Sequence, residues 1–407
     1  MRPAIFRLHS PLLQNIVCDS CIAFLPGLFV ALAGLGAGGG QASSTEVAQS
    51  TNAIIYSIYA FTAFFCNVFL NTLGPRWTLA AGGLGYPIYM GAFWYFGETG
   101  QAWFPYFSGI VLGLSAGWLW ATAGYVALAY STEATRARYL GMQNVIVSIG
   151  GMIGSSIAFG LSVNSTASTG VPNSVYIAFV VLMCAAIVCA AAFLVDPGSV
   201  VRNDGTHLAA YKETTSVWLE FKESIALLKD WRLALLIPVM FTSEFPLWQA
   251  SVNAYAFNLR ARTLLGLLYS IAQAPGGFFL VPILDNTRFS RRTRGLMGVG
   301  VMAIVIYGTW LGKVPSLRKK ITVSDPVLMR STVDAVLYFL FGALYVSYPL
   351  LIQWTMSALT NNPRKLARLA SMCELVLLDL STSLRIPNRQ GGQCCWCKFG
   401  YHPHGTL

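Results

Sequence analysis

The sequence predicts an all-α, polytopic membrane protein. Three observations predict it. Hydrophobic residues make up 55% of the 407-residue chain and charged residues only 11%, where a soluble protein carries about 25% charged residues. The apolar residues gather into runs of about 20, the length a helix needs to cross a bilayer. The basic residues fall between those runs, where membrane topology places them, so the net charge of +11 requires no nucleic-acid partner.

Spans are expected near 12–33, 51–70, 78–96, 105–130, 142–162, 174–195, 233–257, 264–284, 295–312 and 334–359. The order is six, a polar stretch, then four. This gives an N-terminal six-helix bundle over 1–195, a linker over 196–232, an incomplete second bundle over 233–370 and an aberrant tail over 371–407. In the linker, Trp218, Phe221, Ile225 and Leu228 fall on one helical face. That pattern suits a helix lying on a membrane surface, and equally a soluble linker helix. The opening stretch "MRPAIFRLHSPLLQ" leads into an apolar run too long for a cleavable signal.

Counting basic residues by side orients the chain. With the N-terminus in the cytosol, Arg76, Arg136, Arg138, Arg288, Arg291, Arg292 and Arg294 fall inside, and the first three outer loops carry none. The fifth outer loop, with Arg318, Lys319 and Lys320, is the misfit. Asn164, in "NST", is a glycosylation acceptor pattern on the outer side, very near the end of span five. The glycine-rich "GLGAGGGQ" follows no strand and precedes no lysine, so it reads as an outer loop and not as a phosphate cradle. Gly109, Gly113 and Gly117, and again Gly150 and Gly154, recur at helical spacing. Such stripes allow close packing within the molecule or, less simply, between copies.

The candidate functional positions come from helix breaks. Span one breaks at Pro26-Gly27 and span seven at Pro246. Proline removes a helical hydrogen bond, so the carbonyls near Ile22 and Thr242 should lose their usual partners. Interrupted helices at matching places in two halves point to a transporter site. Each break has an acid before it, Asp19 and Glu244. At about 1.5 Å per residue, Glu244 lies roughly 16 Å into its span, near the midplane, where an ionisable group is a functional hypothesis. Asp19 is shallower and reads as structural. Gln249 and Asn253 form a four-residue-spaced pair on span seven; Asn52, Asn67 and Asn144 are further polar residues within or at the ends of spans.

The residues also carry a resemblance. "FLPGLFVALAGLGAGGG", "NTLGPR", "SVNAYAFNLRART" and "LTNNPRKLARLA" are similar to stretches of the fungal Unc-ninety-three-like proteins of the major facilitator superfamily, over most of residues 5–370. The resemblance implies two six-helix bundles around a central cavity. It also implies a cytosolic signature between spans two and three. Asn67 stands at its first glycine, Asn71 at its aspartate, Gly74 at its second glycine and Arg76 at a basic position. Asn71 cannot form the salt bridge an aspartate would. Arg76 is expected to make a conformational contact, and Asp285 with Arg288, Arg291 and Arg292 to supply a charge latch in the other half. Two spans that the resemblance implies have no counterpart. The tail from Ser371 is too polar to cross twice, and its Cys394, Cys395, Cys397, His402 and His404 match no common zinc spacing. A shifted reading frame or missed splice explains it better than a metal site.

None of the four histidines, His9, His207, His402 and His404, falls inside a span, and no nucleophile or metal-ligand constellation appears. Neither an enzyme nor a cofactor is expected. The expected partners are the bilayer and a small solute or ion, moved by alternating access. The alternative is a non-transporting regulator or escort of channels or other membrane proteins. The plasma membrane and internal membranes both remain open.

Overall fold

A computed structural model describes residues 8–34, 44–162, 173–201, 229–242, 259–321 and 332–360, with short helical pieces within 218–227 and 365–369. Nearly all of this is helix. The first half contains α1 (Pro11–Phe24), α2 (Pro26–Gly34), α3 (Ser44–Gly83), α4 (Gly85–Thr99), α5 (Trp103–Tyr130), α6 (Arg136–Ser162) and α7 (Asn173–Phe193). The second contains α8 (Trp231–Ala234), α9 (Ile237–Thr242), α10 (Leu259–Phe279), α11 (Val281–Leu284), α12 (Arg291–Ile321) and α13 (Thr332–Ala358). Among the described residues, seven helices are long and apolar enough to cross a membrane. Spans two and three are helical where expected, as the two limbs of α3 continued by α4. The rest of span seven, with Glu244, Pro246, Gln249 and Asn253, lies outside the described residues, as does Asn164. Of the four apolar linker positions, only Trp218 and Ile225 are described, both exposed.

Ser10 starts α1 by accepting from the Leu13 N–H at 3.2 Å, ahead of Pro11 at the first helical position, the arrangement that satisfies an otherwise unpaired terminal donor. The helix breaks at Leu25, just before Pro26. The Ile22 carbonyl, expected to lose its partner, instead accepts from the Leu25 N–H at 3.2 Å. The last turn tightens and recovers the bond. The turn between the limbs of α3 depends on Gly74, whose φ of 77° lies in the left-handed region. A β-carbon there would also stand 2.9 Å from Asp196 Oδ1.

The glycine stripes are absorbed by intramolecular packing. Gly109, Gly113 and Gly117 of α5 lie against Thr51, Ile55 and Ala63 of α3, with 2.8 Å from a Gly113 β-carbon position to the Ile55 carbonyl. Gly150 seats α6 on α1: its β-carbon would lie 1.9 Å from the Ala23 carbonyl oxygen. Gly154 lies against Ala31 of α2. The two halves meet along α6 and α10, where Gly141 faces Gly277 backbone to backbone and Gly151 faces Ser270. Small residues at these points let helices approach closely where no hydrophobic force drives them together.

This packing generates a test. Gly150→Ala should lower the thermal stability of the detergent-solubilised protein by about 1–3 kcal/mol, the usual cost of overpacking. Gly91→Ala, whose β-carbon would meet nothing within 4 Å, should leave stability unchanged or slightly raised. Equal melting of the two variants would remove the close-contact account of the α1–α6 seat.

Candidate functional site

The charged contacts between the halves gather where α6 begins and α13 ends. The loop after α5 carries Glu133. Its carboxylate accepts from Nε and Nη2 of Arg291 as a bidentate pair, and from Nη2 of Arg294 at 3.1 Å. Arg294 is buried, donates to the Leu284 carbonyl at 2.9 Å and lies over the Trp354 ring at 5.6 Å. Arg136, also buried, reaches the Ser357 carbonyl at 2.7 Å, and Arg291 the Ala358 carbonyl at 3.2 Å. Two arginines thus cover carbonyls that the end of α13 cannot satisfy itself.

Asp285 works in the opposite direction. It follows α11 in the second half, yet its Oδ1 accepts from the Ala137 N–H at 3.0 Å and its Oδ2 from the Arg138 N–H at 2.9 Å. Both N–H groups belong to the first turn of α6, which has no partners within its own helix, and negative charge there is favoured by the helix dipole. One half of the molecule therefore caps a helix of the other.

The sequence expectation placed Asp285 among Arg288, Arg291 and Arg292. The structure sorts these residues differently. Arg291 pairs with Glu133, Asp285 takes backbone donors, and Arg288 and Arg292 are exposed. Arg76 makes its bond within the first half, donating to the Ala191 carbonyl at 2.6 Å and lying over the Trp77 ring at 5.1 Å. That bond caps the end of α7, so by itself it does not register how the halves are arranged. The α3 backbone carries Asn71 through the helix before Gly74; its side chain is outside the described residues.

Sequence reading passed over Glu133. A signal was present: it is the only acid between Glu98 and Asp196, and it sits in a loop otherwise marked by arginines. Its carboxyl is held below the usual glutamate value, first by the hydrogen bond from Arg291. Burial pushes Asp285 up, against the pull of its two backbone N–H donors.

Further from that end, Asn144 of α6 donates to the Val346 carbonyl at 3.4 Å and Ser148 to Gln273 Oε1 at 3.3 Å, both across the halves. Asn52 lies on α3 with its Oδ1 buried and unpartnered among the described residues. Asp19 is buried on α1, bonded to Asn15.

The two halves, joined mainly along α6 and α10 and by ionic contacts at one end, define a multi-pass membrane protein of transporter architecture. The sequence profile of the Major Facilitator Superfamily matches residues 17–372. An UNC93-like protein of Schizosaccharomyces pombe is 33% identical, covering 90% of this chain and 75% of its own length. UNC93-like protein 1 of Arabidopsis thaliana is 32% identical, covering 89% and 80%. An uncharacterized membrane protein of S. pombe is 38% identical, covering 88% and 75%. The chain belongs to the Major Facilitator Superfamily and, within it, to the UNC93-like proteins. Among solved structures, the E. coli fucose:proton symporter superposes with a TM-score of 0.61 at 12% identity, covering 91% of this chain and 90% of that one. The E. coli xylose transporter gives 0.59, also at 12% identity, over 91% and 90%. Likeness at that identity concerns the fold alone.

The two carboxylates should respond to pH with opposite signs. Asp285 has a raised value, so its contribution to stability is complete below the ordinary aspartate value and is lost as pH rises through the raised one. Glu133 has a lowered value, so its contribution is present above the ordinary glutamate value and is lost as pH falls through the lowered one. Unfolding temperature should therefore rise as pH falls through the raised Asp285 value and fall again as Glu133 takes up its proton at lower pH. Asp285→Asn should flatten the first limb and Glu133→Gln the second. Identical pH profiles in all three proteins would separate these residues from stability.

Proposed function

We propose that this protein moves a small solute across a membrane by alternating access, and that the Glu133–Arg291–Arg294 and Asp285–α6 contacts hold its arginine-bearing end closed. Positive-inside counting assigns that end to the cytosol. The observation that carries the proposal is the reciprocity of these contacts: each half supplies a carboxylate to the other at the same end. Their size suits a latch. A helix cap contributes about 0.5–2 kcal/mol, and an ion pair as exposed as Glu133–Arg291 about 0.2–1 kcal/mol. A solute that binds the open arrangement more tightly by a few kcal/mol can release such a latch.

Within this reading, Arg76 is a positioning contact for α7 and not a solute ligand. Glu244, with Gln249 and Asn253 on the same span, remains the proposed cavity group on the sequence argument of depth and the following proline. The regulator reading assigns no role to a latch that opens.

Purified protein in liposomes, exposed to a defined mixture of sugars, nucleosides, amino acids and organic anions, should accumulate at least one of them over time. The Glu133→Gln/Asp285→Asn double variant should bind that solute but take it up more slowly than the unaltered protein. If correctly folded protein accumulates nothing from the mixture, the transport proposal fails and the regulator reading replaces it.

Once a transported solute is found, Glu244→Gln preserves shape and removes a titrating group. Its flux should no longer depend on pH. Unchanged pH dependence would return Glu244 to a structural role.

A further inference from the structure

Asn15 and Asp19 stand one helical turn apart on α1, with relative exposures of 0% and 1%. Asn15 Nδ2 donates to Asp19 Oδ2 at 2.6 Å. That leaves Asn15 Oδ1 and Asp19 Oδ1, both buried and both without a hydrogen-bond partner among the described residues. With Asp19 ionised, both atoms can only accept. Two unpaired acceptors on neighbouring turns of a helix packed inside a bundle are an unfavourable arrangement.

One proton resolves both. Placed on Asp19 Oδ1, it turns that atom into a donor, and the neighbouring unpaired acceptor is Asn15 Oδ1. Carboxylic acid and amide then close a ring with two hydrogen bonds, one running each way. A hard metal ion fits poorly, because it takes about six oxygen ligands and no cluster of three or more metal-binding side chains occurs among the described residues. No described cation offsets the charge either. The titratable groups around Asp19 are the thiols of Cys18 and Cys21 on α1 itself. Cys189 of α7 approaches Cys21, and Tyr130 of α5, beside Tyr125, approaches Cys18. The facing helix α6 carries no titratable side chain after Tyr139.

We propose that Asn15 and Asp19 form a proton-binding site, in which one exchangeable proton taken from water closes an acid–amide ring. The site also has a mechanical address. Asn15, Asp19, Ala23 and Gly27 follow one another at four-residue steps, and Ala23 and Gly27 rest on Gly150 and Gly151 of α6. α6 is the helix whose first turn Asp285 caps. Loss of the proton would place a charge on the face of α1 that seats this helix.

Infrared spectroscopy of the full chain in liposomes tests the proposal, and its readout does not require that the protein transport anything. At neutral pH a protonated-carboxyl band should be present that moves on carboxyl-13C labelling of aspartate, a measurement needing no variant. Asp19→Asn should delete the band. Asn15→Val should shift it to higher frequency, because the amide donor is lost. Transfer to D2O should shift it as the proton exchanges. An aspartate carboxylate in place of the protonated band, with or without a response to Na+, would overturn the proposal. A band indifferent to Asn15→Val would overturn the ring, and one that never shifts in D2O would overturn exchangeability.

Discussion

A helix that begins at a membrane surface leaves backbone N–H groups without partners, and the rest of this structure is arranged around how one helix solves that problem. α6 does not supply both acceptors from its own preceding loop. It takes both from Asp285, a residue about 150 positions further along the chain. The second half thereby fixes where α6 starts. The first half returns the constraint through Glu133, which holds Arg291 and Arg294, and through Arg136, which covers a carbonyl at the end of α13. Neither half completes its own helix ends at this place. The contacts at this end are a joint property of the two halves, which is what the proposed latch requires.

The rest of the α6 surface explains why such modest contacts can matter. In lipid, apolar surface gains little by leaving one apolar neighbour for another, so close backbone approach and a few hydrogen bonds decide helix association. α6 meets α1 through Gly150 and Ala23, and α10 through Gly141 and Gly277. At both seats the nearest approach is to backbone. The polar contacts at the helix start, with the Asn144–Val346 and Ser148–Gln273 bonds further along α6, add direction to these close approaches.

How legible this was in the sequence depends on the range of the interaction. The break before Pro26 and the glycine stripes are local features, written in proline chemistry and four-residue spacing, and they stand in the structure where those patterns put them, as do the helices of the spans that the structure describes in full. The turn at Gly74 was legible for the same reason. The partner of Asp285 was not. Its neighbours in sequence are arginines, and charge alone pairs it with them. The competing acceptor role, toward N–H groups at Ala137 and Arg138, exists only once α6 lies beside α11. Glu133 failed differently: its isolation between Glu98 and Asp196 was visible, but nothing local distinguishes an acid in a solvated loop from one aimed at a distant guanidinium. Arg76 is expected to make a conformational contact on the strength of its loop; the structure gives it the carbonyl of Ala191 in its own half.

α6 therefore carries three kinds of contact at once: a borrowed cap at its start, a glycine seat against the other half, and a glycine seat against the helix holding Asp19. A charge added at Asp19 acts on the third, and a change at Asp285 or Glu133 acts on the first. These contacts share one helix, so on the proposals made above a change at one has a route to the others without any side chain linking them directly. That is a physical route for coupling, resting on a packed element with two seats and not on proximity of the charged groups. Whatever loosens α1 from α6 weakens the position from which Ala137 and Arg138 reach Asp285, and whatever releases Asp285 frees the start of α6 from the second half.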